Sequence, residues 1–318
     1  MLIGLKGKLI LAMLAIGTIP MVFGLSTTYF KGKNQLREII GESFSALALN
    51  SASKLDAEIM RLLQVNEVLA KQAGYETTVT ATLSGLTDGS KFDWPDVRYS
   101  KTSPTYLVHS WISKQASVNV SGITTSTVKL FNTDGQKDRF ILRITTPILE
   151  KNSIIPMAWL HRQYAANKML NALIYPIRFG DTGHVMLIDN VGVVVSCPLL
   201  PTGTSIADTG LTPRIAQNDV GWIRAKIDGH GGNKDSLIGH APLKKVNRYL
   251  QASGKSLYTF AWQDSGEIFA PIYSLQQGVL IAGFIALVLL GMLGVYASSR
   301  VVRPIRRLSE ESRFIARG

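Results

Sequence analysis

Two stretches of the chain are apolar almost without interruption, and between them the pattern turns periodic. Residues 9–30 carry no charge and are bracketed by Lys6, Lys8 and Lys31; no charge falls between Glu267 and Arg300 either. At 1.5 Å per residue, about 20 apolar residues cross a hydrocarbon core of ~30 Å. The pattern therefore predicts two membrane-spanning helices, 9–30 and 278–297. A cleaved signal peptide is the alternative for the first. No small-residue cleavage site follows it, and a helical pattern continues directly, which favours an uncleaved anchor. Pro20 is compatible with a span, because neighbouring groups re-satisfy the backbone inside membrane helices.

Past the first span, apolar residues recur at Leu36, Ile40, Phe44, Leu47, Leu55, Ile59, Leu62 and Leu69, in steps that keep to one helix face. Lys54, Asp56, Glu58, Arg61 and Gln64 fill the other positions. This predicts a long stalk helix over 31–74 whose apolar face packs on a partner helix or a sheet. From Gly74 the texture becomes rich in Thr, Ser and Val, with a turn signal at Thr87-Asp88-Gly89. Residues 128–131 and 139–146 read as strands around Asp134-Gly135, the second ended by Pro147. A strand interrupted by Pro156 is expected over 154–160, and helical spacing resumes over 162–174. A second β-rich block follows: 183–188 and 191–197 around Asp189-Asn190, then short strands over 222–227, 236–239 and 256–261, with a flexible loop at 229–232. Helix, strands, helix, strands is the order of an α+β protein with two antiparallel-sheet modules, 75–162 and 163–277.

Charge then fixes the orientation. The tails 1–8 and 298–318 hold eight basic residues and two acidic ones (Glu310, Glu311); the stretch between holds 26 and 20, so the net +12 divides evenly. The positive-inside rule puts both tails in the cytosol and residues 31–277 outside. The basic residues cluster beside the membrane, where anionic lipid is the expected partner, and no patch suggests nucleic acid. Cys197 is alone, so the outer part folds without an intrachain disulfide. It reads as a small buried hydrophobe, with haem or redox sensing through Cys197-Pro198 as the alternative.

Within the second block, Phe179-Gly180-Asp181-Thr182-Gly183-His184 runs into an apolar strand ending at Asp189, followed by Gly192 and Cys197-Pro198. This resembles the strand–turn–strand core of the Cache family of extracytoplasmic sensors, with Gly180, Thr182, Gly183, His184, Asp189 and Gly192 as its motif positions. Gly183 would let the chain enter the sheet tightly, and Asp189 would close the turn. The long helix and two modules are similar to the double-Cache arrangement, whose modules are PAS-like. Residues 75–160 depart from that pattern, and the family's constellation for amino acids is not found there. At the other end, Arg303-Pro304-Ile305-Arg306-Arg307-Leu308, closed by Gly318, resembles the first helix of a HAMP linker over 298–318. Pro304 suits a first helical turn, and Leu308, Phe314 and Ile315 form a narrow stripe. The resemblance implies a bacterial inner-membrane receptor that dimerises and relays a stimulus through Pro304, Leu308 and Gly318 to an output domain. A complete HAMP unit would need a second helix, so the likeness covers its first helix alone.

Catalysis has no sequence support. His109, His161, His184, His230 and His240 form no metalloprotease pair; no nucleophile elbow or phosphate loop occurs; nothing calls for a metal or cofactor. Asp228-Gly229-His230 reads as a solvated turn. A small-molecule pocket would draw on Trp111, Trp159, Arg162, Tyr164 and Arg178, whereas Trp222 and Trp262 read as core. The alternatives are a membrane-anchored protein-interaction module that does not signal, and an extracytoplasmic enzyme.

Overall fold

In the computed structural model, residues 5–77, 92–93, 106–113, 125–133, 136–149, 154–206, 211, 220–226, 235–250 and 254–315 are described. The turns expected at 87–89 and 134–135, the loop at 229–232 and Gly318 lie outside them. The protein is α+β, with two antiparallel sheets and two long helices among the described residues. Residues 40–267 form one compact unit; residues 1–39 with 268–318 form another.

In the first of these units, α1 (Leu5–Thr77) supplies the helical spine. Its buried positions Phe44, Ala48, Ala52, Leu55, Ile59, Leu62, Asn66, Ala70 and Ala73 return every three or four residues. Phe44, Leu55, Ile59 and Leu62 are among those the periodicity predicts, while Leu36, Ile40, Leu47 and Leu69 are half-buried. Burying each Leu or Ile stabilises the fold by about 1.5–3 kcal/mol. Two polar residues share the buried face. Asn66 donates to the Thr146 hydroxyl at 2.7 Å. Asp56, expected among solvated positions, is buried and accepts from the backbone N–H groups of Lys245 and Val246 at 3.0 Å each.

The first sheet has the order β1-β2-β5-β4-β3, with β1 (Phe92–Asp93), β2 (Leu107–Ser113), β3 (Thr127–Thr133), β4 (Gln136–Leu149) and β5 (Pro156–Ala165). Two expectations are corrected here. Pro147 does not end its strand: β3 pairs only to Thr145, so among the described residues β4 beyond that point has no partner on that edge, where a missing N–H is harmless. The helical reading over 162–174 begins too early. β5 continues through Arg162 and Tyr164, and the helix α2 starts at Ala166 (Ala166–Ile174). The strand wins because Ala158, Leu160, Arg162 and Tyr164 are buried at every second position, on the face that carries Ile148, Ala70 and Ala73. Pro156 opens β5 rather than interrupting it.

The second sheet has the order β6-β7-β11-β10-β9, with β8 beside β7. Its strands are β6 (Arg178–Phe179), β7 (Gly183–Asp189), β8 (Val194–Ser196), β9 (Gly221–Ala225), β10 (Ser236–Pro242) and β11 (Leu257–Asp264). A short helix α3 (Lys244–Leu250), absent from the sequence reading, joins the last two. One face lies against α1: a Cβ on Gly239 would stand 2.1 Å from the Phe44 carbonyl carbon, and Thr259 donates to the Ala48 carbonyl at 2.8 Å. The other face is filled by the chain's own apolar residues, Met186, Ile188, Ile223, Ile238, Phe260 and Trp262 under Val194, Cys197, Ile206 and Leu211. Trp262 is core as expected, and Trp222 is half-buried.

In the other unit, the segment Ser265–Tyr296 of α4 (Ser265–Ile315) is long and apolar enough to cross a membrane. Leu280, Ile281, Phe284 and Ile285 on it are exposed, as are Ile16, Ile19 and Phe23 on α1. The two helices touch through small residues: Cβ atoms built on Gly17 and Gly283 would meet Leu290 at 3.0 Å and Met21 at 1.9 Å.

Candidate functional site

Strand alternation divides the first sheet into an apolar face against α1 and a polar face opposite. The register aligns Trp111, His161, Thr145 and Thr127 in one row across β2, β5, β4 and β3, and His109, Gln163, Arg143 and Lys129 in the next. These residues share the face away from α1.

Their side chains form one connected cluster. The His161 ring stacks on Trp111 at 4.9 Å between centroids and 19° between planes, and His109 stacks on Trp111 at 5.1 Å. Nδ1 of His161 lies 2.9 Å from the Thr145 hydroxyl. The Arg143 guanidinium sits 5.2 Å from the Trp111 ring and 4.8 Å from Phe131, within cation–π range of both. With its amide oxygen turned towards Arg143, Gln163 accepts from Nε at 3.1 Å and Nη2 at 2.6 Å.

Burial holds His161 neutral: desolvation, with the Arg143 charge beside it, pushes its pKa down to about 4. Desolvation also lowers the pKa of Arg143, which stays protonated as arginines do. Among the described residues Arg143 makes no ion pair. A half-buried, stacked guanidinium can take a carboxylate or another planar anion through two parallel hydrogen bonds.

The five residues proposed for a pocket are not gathered at one place. Trp111 and Trp159 lie on the polar face. Arg162 and Tyr164 lie on the other, 4% and 0% exposed, with the Arg162 guanidinium 5.5 Å from the Tyr164 ring. Arg178 is an exposed residue of β6 in the second sheet. The residues that do cluster with Trp111 are His109, Arg143, Thr145, His161 and Gln163, which the sequence reading had not grouped. One signal was present: Arg143 is a lone cation inside the apolar alternation Phe140-Ile141-Leu142-Arg143-Ile144.

The motif residues of the second sheet build a turn and a core. Asp189 closes the β7–β8 turn by accepting from Val191 and Val193 at 3.1 and 2.8 Å, while Gly192 donates to the Asp189 carbonyl at 3.0 Å. Gly183 has no room for a side chain, since its Cβ would stand 2.1 Å from the Phe179 carbonyl oxygen. His184 is buried, with Nδ1 2.9 Å from the Thr182 carbonyl and Nε2 3.5 Å from Cys197 Sγ. The Cys197 thiol is buried, and burial pushes its pKa up, which suits a packed thiol rather than a nucleophile. Pro304 and Leu308 belong to α4.

No protein-family model matches the chain, and no curated protein sequence matches it either. Solved structures do. The ligand-binding domain of the Pseudomonas fluorescens chemoreceptor CtaA, in complex with L-isoleucine, aligns with 76% of this chain and 99% of its own at 15% identity and a TM-score of 0.50. The ligand-binding domain of the Pseudomonas aeruginosa PAO1 amino acid chemoreceptor PctB, in complex with L-Arg, aligns with 73% and 98% at 17% identity and a TM-score of 0.46. The chain spans about half, 53%, of the solved extracellular domain of the histidine kinase mmHK1S-Z3, at 14% identity and a TM-score of 0.36. At these identities the likeness is one of fold.

Proposed function

We propose that this chain is a membrane receptor whose outer part, residues 31–277, binds a small organic anion on the polar face of the first sheet. The observation that carries this reading is Arg143, stacked between Trp111 and Phe131, held by Gln163 and lacking a counter-ion among the described residues. A carboxylate would accept from its remaining N–H groups, with the neutral His161 and Trp111 beside it. β1 places Asp93 opposite Trp111 in register. Amino acids, with both a carboxylate and an ammonium, are therefore the first compounds to test. The fold shared with the CtaA domain, itself in complex with an amino acid, supports the choice. The equivalent face of the second sheet is filled by its own apolar residues, which argues for one binding module, the membrane-distal one.

By the same reading, residues 9–30 and 278–297 both span the bacterial inner membrane, the receptor works as a dimer, and 298–318 relays the stimulus as a HAMP helix to an output domain. The chain itself performs no catalysis. The test is thermal denaturation of residues 31–277 with a panel of amino and organic acids. A ligand at a hundredfold excess over Kd stabilises the native state by about 2.7 kcal/mol. The shift should vanish in Arg143→Gln with the unliganded melting curve retained. A well-folded domain that no compound stabilises would turn the reading towards a protein-interaction module.

A further inference from the structure

A second charged site lies in the unit formed by residues 1–39 and 268–318. Lys33 and Arg37 stand one helical turn apart on α1, where side chains are neighbours. Nζ of Lys33 donates to the Tyr273 hydroxyl at 3.0 Å and the Tyr29 hydroxyl at 3.5 Å, and it lies 5.1 Å from the Phe269 ring. The Arg37 guanidinium lies 5.8 Å from the same ring. One Arg37 nitrogen reaches Asn34 at 3.4 Å, while its Nε is buried with no hydrogen-bond partner among the described residues. Among the described residues neither cation makes an ion pair.

A buried donor left unmatched costs about 1–3 kcal/mol, and more on a charged group. The group that would serve both cations best is an anion with several acceptor oxygens, able to take the guanidinium fork and the neighbouring ammonium together. Depth says where that anion comes from. Lys33 and Arg37 follow the apolar stretch ending at Phe30 by about 5 and 10 Å of helix rise. In the two-span reading Lys33 falls within the headgroup layer of the outer leaflet, some 5–8 Å thick, and Arg37 starts just beyond it, on a helix whose side chains lean back towards the N-terminus and so towards that layer. Tyr29, Tyr273 and Phe269 are the aromatic residues such a layer favours. We infer that Lys33 and Arg37, walled by Tyr29, Phe269 and Tyr273, form a binding site for the phosphate of an anionic phospholipid headgroup.

The inference rests on the membrane reading but not on the ligand of the first sheet. The test uses the full chain in detergent, with retained lipid counted by native mass spectrometry. The wild-type chain should hold phosphatidylglycerol at least fivefold in preference to phosphatidylcholine. The double variant Lys33→Gln, Arg37→Gln should lose at least tenfold in apparent affinity, while Lys31→Gln keeps the wild-type value. Equal retention of the two lipids by the wild type overturns the site without recourse to any variant. So does a double variant that still holds phosphatidylglycerol, or loss only when Arg303, Arg306 and Arg307 are replaced. Inorganic phosphate provides a second arm: if it competes as well as the lipid at equal concentration, the site takes free phosphate and the lipid assignment fails. Retention of both variants in washed membranes separates loss of this site from loss of anchoring.

Discussion

Glu267, in the first turn of α4, is gripped by Thr182 in the turn before β7: its carboxylate accepts from the Thr182 backbone N–H at 3.0 Å and from the Thr182 hydroxyl. Asp181 adds its backbone N–H at 2.7 Å. Gly180 makes the grip possible, with φ at 58° and a Cβ position only 1.9 Å from the Glu267 carboxylate. The motif that resembles a Cache turn therefore holds the start of the helix that carries the apolar segment. Desolvation raises the Glu267 pKa, and the hydrogen bonds from Thr182 and Asp181 outweigh it to leave a net lowering.

Glu267→Gln should weaken this junction by about 1 kcal/mol, a modest value because the site is near solvent. Gly180→Ala should cost more, since it meets both an unfavourable φ and the carboxylate. Thermal melts of residues 31–277 will rank the two. Equal stability of Gly180→Ala and wild type would show that the grip is absent in solution.

Acid should destabilise the outer part through His161. Its folded pKa, about 4, lies below the unfolded value of ~6.5, so the unfolded chain binds the proton first. The stability it contributes is whole above pH ~6.5 and falls as the pH drops towards 4, by on the order of 3 kcal/mol at the lower end. Burial lowers the pKa of His240 too, in the same direction. Urea titrations between pH 7 and 4.5 should show a flatter slope for His161→Gln than for wild type; parallel slopes would remove His161 from the acid response.

Asp56 acts on a helix almost 190 positions away. Its two oxygens take the N–H groups of Lys245 and Val246 at the start of α3, as an N-cap side chain would. Asp56→Ala should cost about 1–2 kcal/mol by denaturation and speed amide exchange at Val246. Unchanged exchange there would mean that water replaces the carboxylate without loss.

Gly239 is the point where β10 meets the backbone of α1. Even alanine would place a carbon 2.1–2.4 Å from main-chain atoms of Phe44 and Ser45, which have no side-chain rotamer to give way. We expect Gly239→Ala to destabilise by about 3 kcal/mol or more. A melting curve like that of wild type would require α1 to shift along the sheet, visible as a change in Trp222 fluorescence.

The elements legible in the chain were those whose signal is local. Helical spacing marks α1 from Phe44 to Leu62 within the helix itself. Alternation and turn residues mark β3, β4, β7 and β8 within a dozen residues. The apolar run after Glu267 needs only its own composition to read as a candidate span.

What tertiary structure decided is which residues meet. Arg162 and Tyr164 looked like pocket residues, but strand parity turns them towards α1, and parity is set only once β5 has joined β2 and β4. The same pairing brings Arg143 beside Gln163 and His161 beside Trp111, from positions 20 and 50 residues apart in the chain. Nothing in the sequence marks the roles of Asp56 and Glu267, because the N–H groups they accept from come from distant backbone that carries no side-chain signature. Local propensity is written residue by residue, whereas the cluster around Trp111 and Arg143 exists only in the register between strands.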